Sequence, residues 1–311
     1  MERFHQPVMP EEVTRLLRVA EGGRFIDATV GGGGHSEKIL QSHPGTQVLG
    51  IDRDIEAIRI AEKQLSSYGD RIIVRQGVFS EMKQIAEQTA WQTVDGVLMD
   101  LGLSSIQLDK PERGFSFKSD APLDMRMDRN SSLTASRLLN TAEENRLADI
   151  FYKYGEERRA RQVARAVVER RKQKKWERTG EFAQLVEKVI GTGGGRRRSL
   201  PPATRCFQAL RIAVNSELQE LEQGLTDAID LLKAGGRIVV ISFHSLEDRI
   251  VKNTFKYEAA SCICPPGIPE CRCEKDVRLE IITRKPQRPT NEEIEHNRRA
   301  KSARLRVAEK K

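Results

Sequence analysis

The residues whose types and spacing could do chemistry begin at Phe25. From there to Ser36 the chain reads F-I-D-A-T-V-G-G-G-G-H-S: a short apolar run, an acid, four glycines and the polar start of a helical segment. Glycines let the backbone pass close to a ligand and take positive φ. A helix opening directly behind them offers unpaired N–H groups to a phosphate or carboxylate. Asp52 ends the next apolar run, 21 residues after Gly31, and an acid there accepts hydrogen bonds from ribose hydroxyls. The chemistry implied is the holding of a nucleoside-containing cofactor. A glycine turn with no ligand is the plain alternative.

Two further positions extend this site. Gln76-Gly77-Val78-Phe79-Ser80 follows a third apolar run, and Phe79 could pack on an adenine face there; a core phenylalanine at a strand end fits as well. The fourth run ends Met99-Asp100-Leu101-Gly102. That puts the Asp100 carboxylate at the edge where doubly wound sheets bind ligands. A nicotinamide fingerprint, G-x-G-x-x-G, is met only in part, because Ser36 stands where its third glycine belongs. Asp27, four residues before Gly31, resembles instead the acid of motif I in S-adenosylmethionine (SAM) methyltransferases, with Thr29 where the first glycine of that motif usually falls. Asp27 as a strand-end helix cap is the other reading. Leu232-Lys233-Ala234-Gly235-Gly236 also resembles a methyltransferase turn.

These residues need a scaffold, and the hydrophobic pattern supplies one. Apolar runs at 24–28, 47–52, 71–74 and 94–100 alternate with helical spacing such as Ile55, Ile58, Ala61 and Leu65. Short strands alternating with helices predict βαβ units and a parallel sheet. The alternation stops after Leu101 and resumes with a helix end at Leu231 to Gly236 and a fifth strand at Arg237–Ser242. Between them the pattern predicts loops and helices. Phe151 to Arg178 reads as one long basic helix with a break near Gly155, and Gly191 to Pro202 as a loop. Leu210, Val214, Leu218, Leu221 and Leu225 form one helical stripe. The expected organisation is a discontinuous domain, 1–107 with 216–311, interrupted by a helical insertion at 108–215.

Composition narrows the class. The chain has 311 residues, 38% hydrophobic and 32% charged, which allows a packed core. No apolar run approaches the ~20 residues that span a bilayer. The first dozen residues lack an apolar segment of the secretory type, and five cysteines do not make a disulfide scaffold. The expectation is a cytoplasmic protein with no membrane partner. The net charge is +8, and residues 158–178 carry that whole excess, with ten Lys/Arg against two Glu. Residues 296–311 add seven Lys/Arg against one Glu, and Arg196, Arg197 and Arg198 form a third island. One-signed charge concentrated in this way points to a polyanion such as nucleic acid; a solvated helix face is the alternative.

Several motifs in order now point one way. They are His5-Gln6-Pro7-Val8-Met9, Asp27 through Ser36, Gly50 to Asp54, Asp100-Leu101-Gly102-Leu103-Ser104-Ser105 with Gln107, Arg113 to Phe117, Leu123 to Asp128, Phe207 to Asn215, and Ile241 to Arg249. Together, from His5 to about Arg284, they resemble the RsmH (MraW) family, which methylates the exocyclic N4 of a cytidine in the decoding region of bacterial 16S rRNA. The resemblance implies an α/β, Rossmann-like SAM methyltransferase fold whose helical insertion follows the fourth strand and docks RNA. It implies SAM as cofactor, held by Gly33, Gly34, His35, Asp52, Phe79, Asp100 and Gln107, and 16S rRNA in the small ribosomal subunit as partner. Asp100 is the candidate proton acceptor, and holding the cofactor's amino group is the competing role for it. Asp124 and Arg126, in a loop with Asp128, are candidates for reading the cytosine or a phosphate, against a solvated loop. No Asp-Pro-Pro-aromatic motif follows the fourth strand, so the base stacker is sought in Phe115, Phe117 or Phe243; core packing is the ordinary fate of such residues. His244 could line the same crevice or be structural.

Cys262-x-Cys264 and Cys271-x-Cys273 have the ligand types for a tetrahedral zinc site, against a loop of reduced thiols; no metal is assigned to the catalytic site. Two other functions stay open at this point. One is a non-catalytic basic RNA-binding or assembly factor with a vestigial pocket. The other is a nicotinamide-dependent oxidoreductase, which Ser36 and the basic insertion disfavour.

Overall fold

A computed structural model describes residues 6–191, 201–265 and 272–311. His5, Arg196, Arg197, Arg198 and Cys271 lie outside the described residues. In chain order the elements are α1 (Pro10–Leu17), β1 (Gly23–Asp27), α2 (Gly34–Ser42), β2 (Thr46–Asp52), α3 (Ile55–Leu65), β3 (Ile72–Gln76), α4 (Met82–Gln88), β4 (Val94–Asp100), α5 (Ser105–Asp109), α6 (Ala135–Thr141), α7 (Glu144–Lys153), α8 (Ala160–Arg171), α9 (Thr179–Ile190), α10 (Ala203–Asn215), α11 (Glu217–Leu231), β5 (Leu232–Ser242), α12 (Ser245–Glu258), β6 (Leu279–Ile281), α13 (Asn291–His296) and β7 (Arg304–Lys310). They fall into two compact units, Met1–Gly102 with Leu218–Lys311, and Leu103–Glu217. The boundaries expected from sequence fall at 107/108 and 215/216.

The first unit is an α/β sheet in the order β3-β2-β1-β4-β5-β7-β6. Strands β1 to β5 pair in parallel, while β7 runs antiparallel to β5 and to β6. Strand residues alternate between two cores: Ile26, Val97, Met99, Ile238 and Val240 face one, and Phe25, Leu98, Val239 and Ile241 the other. A sheet buried on both faces needs near-continuous apolar strands, which is why β1, β2, β4 and β5 are legible in the sequence.

Two features of this unit differ from expectation. Helix α11 stops at Leu231 and β5 starts at once, so the glycine turn is a bulge within the strand, where the pairing register shifts between Val94 and Gly96. The second half of the basic tail is strand β7. Arg306 is buried, and both Arg304 and Arg306 pair with Asp248 of α12. Those two charges are therefore neutralised internally.

The second unit contains, among the described residues, helices and one isolated bridge, Pro122 to Arg178. Its core is aromatic: Trp176 meets Phe182 edge-on at 5.9 Å, and Phe182 packs on Phe151 and Phe207. The basic segment has its expected break near Gly155, and its second helix ends at Arg171, short of Arg178. Glu156 takes φ 48° between α7 and α8, and after α8 the chain folds back so that buried Trp176 donates from Nε1–H to the Val167 carbonyl. The stripe from Leu210 to Leu225 is also divided, because Ser216 takes φ 52° between α10 and α11. Leu210 and Val214 serve the second unit's core, and Leu221 and Leu225 the first unit's.

Part of the basic run has structural work. Arg171 donates to the Leu139 and Ala142 carbonyls at the end of α6, and Arg159 to the Val189 and Ile190 carbonyls at the end of α9. Orphan helix-end carbonyls are ordinary targets for arginine. Arg170 lies 4.0 Å over Trp176 and pairs with Glu181. Arg161, Arg165 and Lys172, at helical spacing along α8 and its C-cap, remain exposed.

Candidate functional site

The carboxyl ends of β1, β2 and β4 bring the predicted acids of the first unit to one edge of the sheet. Asp27 is fully buried, and burial pushes its pKa up. Its carboxylate accepts from the Ser36 hydroxyl at 2.7 Å and from the Thr29 N–H at 3.2 Å. It thereby ties both ends of the glycine loop. Gly33 is the N-cap of α2 with φ 91°, a conformation that L side chains rarely adopt, and a Cβ there would press on Leu65 at 3.2 Å. Gly34 is the first residue of α2.

Asp52, at the end of β2, accepts from the N–H of Gly31 and of Asp54, each at 2.9 Å. Burial raises its pKa to about 6, against the lowering effect of those two hydrogen bonds. The Asp100 N–H donates to the Thr29 hydroxyl at 2.7 Å, which ties the end of β4 to the glycine loop. Its carboxylate Oδ2 lies 3.5 Å from His35 Nε2 in the first turn of α2. Burial lowers the His35 pKa, but the Asp100 and Asp27 carboxylates outweigh it and raise the pKa overall. The site thus holds the His35 imidazole against the Asp100 carboxylate in the first turn of α2. His35 Nδ1 and Asp100 Oδ1 are buried without a hydrogen-bond partner. Buried polar atoms left in this way are costly, so the edge is chemically incomplete without a polar ligand.

Phe79 opens a single 3₁₀ turn after β3 and is half-buried against the sheet core. Its ring approaches α11 at Gly224, where a Cβ would come within 2.7 Å of it. Ser80 donates to Glu220, whose other oxygen is 3.9 Å from Arg53. Of the predicted cofactor residues, Gly33, Gly34, His35, Asp52, Phe79 and Asp100 therefore share the first unit. Gln107 belongs to the second, where its side chain and that of Ser104 close the capping box of α5.

In the second unit Asp124 and Arg126 face each other. Arg126 donates from Nε and Nη2 to the two Asp124 oxygens at 2.7 and 2.8 Å, and from Nη1 to the Arg129 and Ser131 carbonyls. Burial opposes the ionisation of Asp124, yet the Arg126 hydrogen bonds outweigh it and hold its pKa below the usual carboxylate range. The loop around the pair is clamped from two sides, by residues of two other motifs. Buried Arg113 donates to the Arg126 and Met127 carbonyls. The Asn215 amide accepts from the Met127 N–H and donates to the Met125 carbonyl, each at 2.8 Å. Arg113 and Asn215 stand within motifs of the sequence, but nothing local to them signals this clamping role. Phe115 is buried and Phe117 packs on Phe207 at 4.7 Å, so both join the unit's core. In the first unit Phe243 packs over Gly102, and His244 caps α12, accepting from the Glu247 N–H.

A parallel sheet in this order with an antiparallel β7, a glycine loop and acids at the carboxyl edge is a Rossmann-like α/β methyltransferase fold. The sequence profile of the MraW methylase family matches residues 2–311. The chain belongs to that family. It is 51% identical over 310 residues to the ribosomal RNA small subunit methyltransferase H of Carboxydothermus hydrogenoformans, an alignment covering 100% of this chain and 99% of that protein. It is 49% identical over 311 residues to the protein of the same name from Dehalococcoides mccartyi strain BAV1, covering 100% of this chain and 87% of the relative. The Syntrophotalea carbinolica protein, also so named, is 49% identical over 304 residues and is covered to 96%. Among the described residues no helix is long and apolar enough to cross a membrane.

Proposed function

We propose that this protein transfers a methyl group from SAM to the exocyclic N4 of a cytidine in the decoding region of 16S rRNA. The observation that carries the reading is the match, over nearly the full length of both chains, to relatives named ribosomal RNA small subunit methyltransferase H. The donor set at the sheet edge fits SAM. Gly33, Gly34 and the N-terminus of α2, with the N–H-bearing imidazole of His35, suit the methionine carboxylate. Asp52 suits the ribose hydroxyls, and Phe79 the adenine. Gln107 enters through the family resemblance. Bound SAM supplies a methyl group on an electrophilic sulfonium.

The chain's own residues do the rest. A cytosine amine is a weak nucleophile because its lone pair is delocalised into the ring, so orientation supplies much of the acceleration. The unpartnered oxygen of Asp100 suits acceptance of an amine N–H, and it would take that proton as the C–N bond forms and the methyl–sulfur bond breaks to leave a neutral thioether. The target base must leave its stack to reach such an edge, and exposed cations on α8 would hold RNA phosphates. Asp124 and Arg126 shape a loop of the insertion that meets the RNA.

The deciding experiment incubates the protein and labelled SAM with small ribosomal subunits from a strain lacking it, then locates the label by nucleoside mass spectrometry. N4-methylcytidine at one site supports the reading. No label despite SAM binding would move the function to another acceptor or to a non-catalytic RNA-binding role.

Two further outcomes are expected. SAM affinity should fall as pH drops below about 6, where Asp52 gains its proton and loses acceptor strength. The loss approaches about tenfold per pH unit where only the carboxylate binds. Asp52→Asn should bind weakly with a flatter profile, which separates Asp52 from the titration of His35; calorimetry across pH checks both. Replacing Arg161, Arg165 and Lys172 with Gln should weaken RNA binding and reduce its logarithmic salt slope by roughly 0.7–0.9 for each phosphate no longer neutralised. An unchanged slope would make α8 a solvated face. Arg170 and Arg171 are unsuitable for this test, because they hold Trp176 and α6 in place.

A further inference from the structure

The loop joining α12 to β6 contains the one sequence motif that the proposed reaction leaves unused. Its base is well tied: the Arg278 N–H donates to the Glu258 carbonyl at 2.9 Å, and Lys275 and Arg278 pair with Glu258. Among the described residues from 259 to 278 none is buried, and Ile263 is 45% exposed. A long loop with neither secondary structure nor core needs some other restraint to hold one conformation.

Three thiols converge there. The sulfur atoms of Cys262, Cys264 and Cys273 all lie within 4.8 Å of one another, and those of Cys262 and Cys273 are 3.9 Å apart. A disulfide requires about 2.05 Å. Zinc–thiolate bonds of about 2.3 Å at tetrahedral angles place sulfurs roughly 3.8 Å apart, close to the 3.9 Å between Cys262 and Cys273. Backbone N–H groups also point at the sulfurs: Ile263 at Cys273, Cys264 at Cys262 and Arg272 at Cys264, at 3.4, 3.4 and 3.5 Å. Hydrogen bonds of this kind spread the negative charge of metal-bound thiolates and orient them.

We propose that Cys262, Cys264 and Cys273 form a structural zinc site that closes this loop. The metal supplies a restraint where the described residues of the loop offer no buried side chain, so the site serves the loop's fold. Thiolate ligands favour zinc over harder divalent cations such as magnesium. The fourth ligand is to be found by experiment.

The test uses the full-length protein, purified reduced and without chelator. Elemental analysis should find about one zinc per chain, and X-ray absorption should show sulfur at about 2.3 Å. Cobalt exchange should give thiolate-to-cobalt charge-transfer bands. Cys262→Ser and Cys273→Ser should each weaken metal binding by more than about 100-fold, beyond the 10–100-fold typical of outer-shell partners, while Cys206→Ser leaves it intact. Chelation should open the 259–278 loop to protease with the far-ultraviolet circular dichroism of the remainder preserved. A reduced protein that takes up neither zinc nor cobalt overturns the proposal. So does a native Cys262–Cys273 disulfide, or metal binding that survives both serine variants.

Discussion

Asp100→Asn is expected to slow methyl transfer to small-subunit RNA by roughly 10²–10⁴-fold, the range spanned by a positioned acid or base. The substitution keeps the size of the side chain and the N–H donation to Thr29. It removes the negative charge and the capacity to take a proton. Two readouts divide the roles that one carboxylate could play. If Asp100 acts on the cytosine amine, kcat falls and SAM affinity by calorimetry changes little. If it holds the cofactor's amino group, the dissociation constant for SAM rises by a comparable factor. A variant with unchanged kcat and unchanged SAM affinity would remove Asp100 from the site. The same variant should lower the His35 pKa: burial already depresses it, and Asp100 is the main group raising it. Nuclear magnetic resonance titration of the imidazole reads this directly, independently of RNA.

Asn215→Ala is expected to cost the second unit roughly 2–4 kcal/mol, because it strips partners from two buried backbone groups worth about 1–3 kcal/mol each. Those groups are the Met127 N–H and the Met125 carbonyl, which flank Arg126. Met125 takes φ 62°, a conformation that a non-glycine residue keeps only when its surroundings hold it. Released, the loop should relax, and kcat/KM on RNA should fall with it. Asn215→Asp keeps an acceptor for the Met127 N–H and loses the donor to Met125, so it should be intermediate. Denaturant unfolding and proteolysis of the loop check the order wild type, Asp, Ala. Equal stability of all three would show that the clamp is dispensable.

The two experiments reach the two units separately. The first tests a charge at the sheet edge, and the second tests the rigidity of a loop that carries no reaction chemistry itself. Asp124 and Arg126 satisfy each other, with four of the five guanidinium N–H groups engaged. Their contribution to RNA recognition is therefore expected to come through loop shape as much as through direct charge.

Much of the first unit was determined by the sequence itself. Strands β1, β2 and β4 are buried on both faces, so they appear as continuous apolar runs, and their terminal acids Asp27, Asp52 and Asp100 follow by position. The glycine loop was legible because positive φ at Gly33 has few other solutions. Strand β7 carried a readable signal as well, in the alternation of Leu305 and Val307 with Arg304 and Arg306, but one-signed charge masked it. Only the tertiary structure showed that Asp248 neutralises those arginines, since ion pairing across 56 or 58 residues leaves no local trace. The same holds for the basic run. Local sequence counts its charges, while long-range packing decides that Arg159 and Arg171 serve helix ends and that Arg161 and Arg165 stay in water. The stripe from Leu210 to Leu225 could not reveal its own division, because two cores present the same periodicity as one. Periodicity reports which face of a segment is apolar. Which core that face enters, and which charge it meets there, depends on residues far away in the chain.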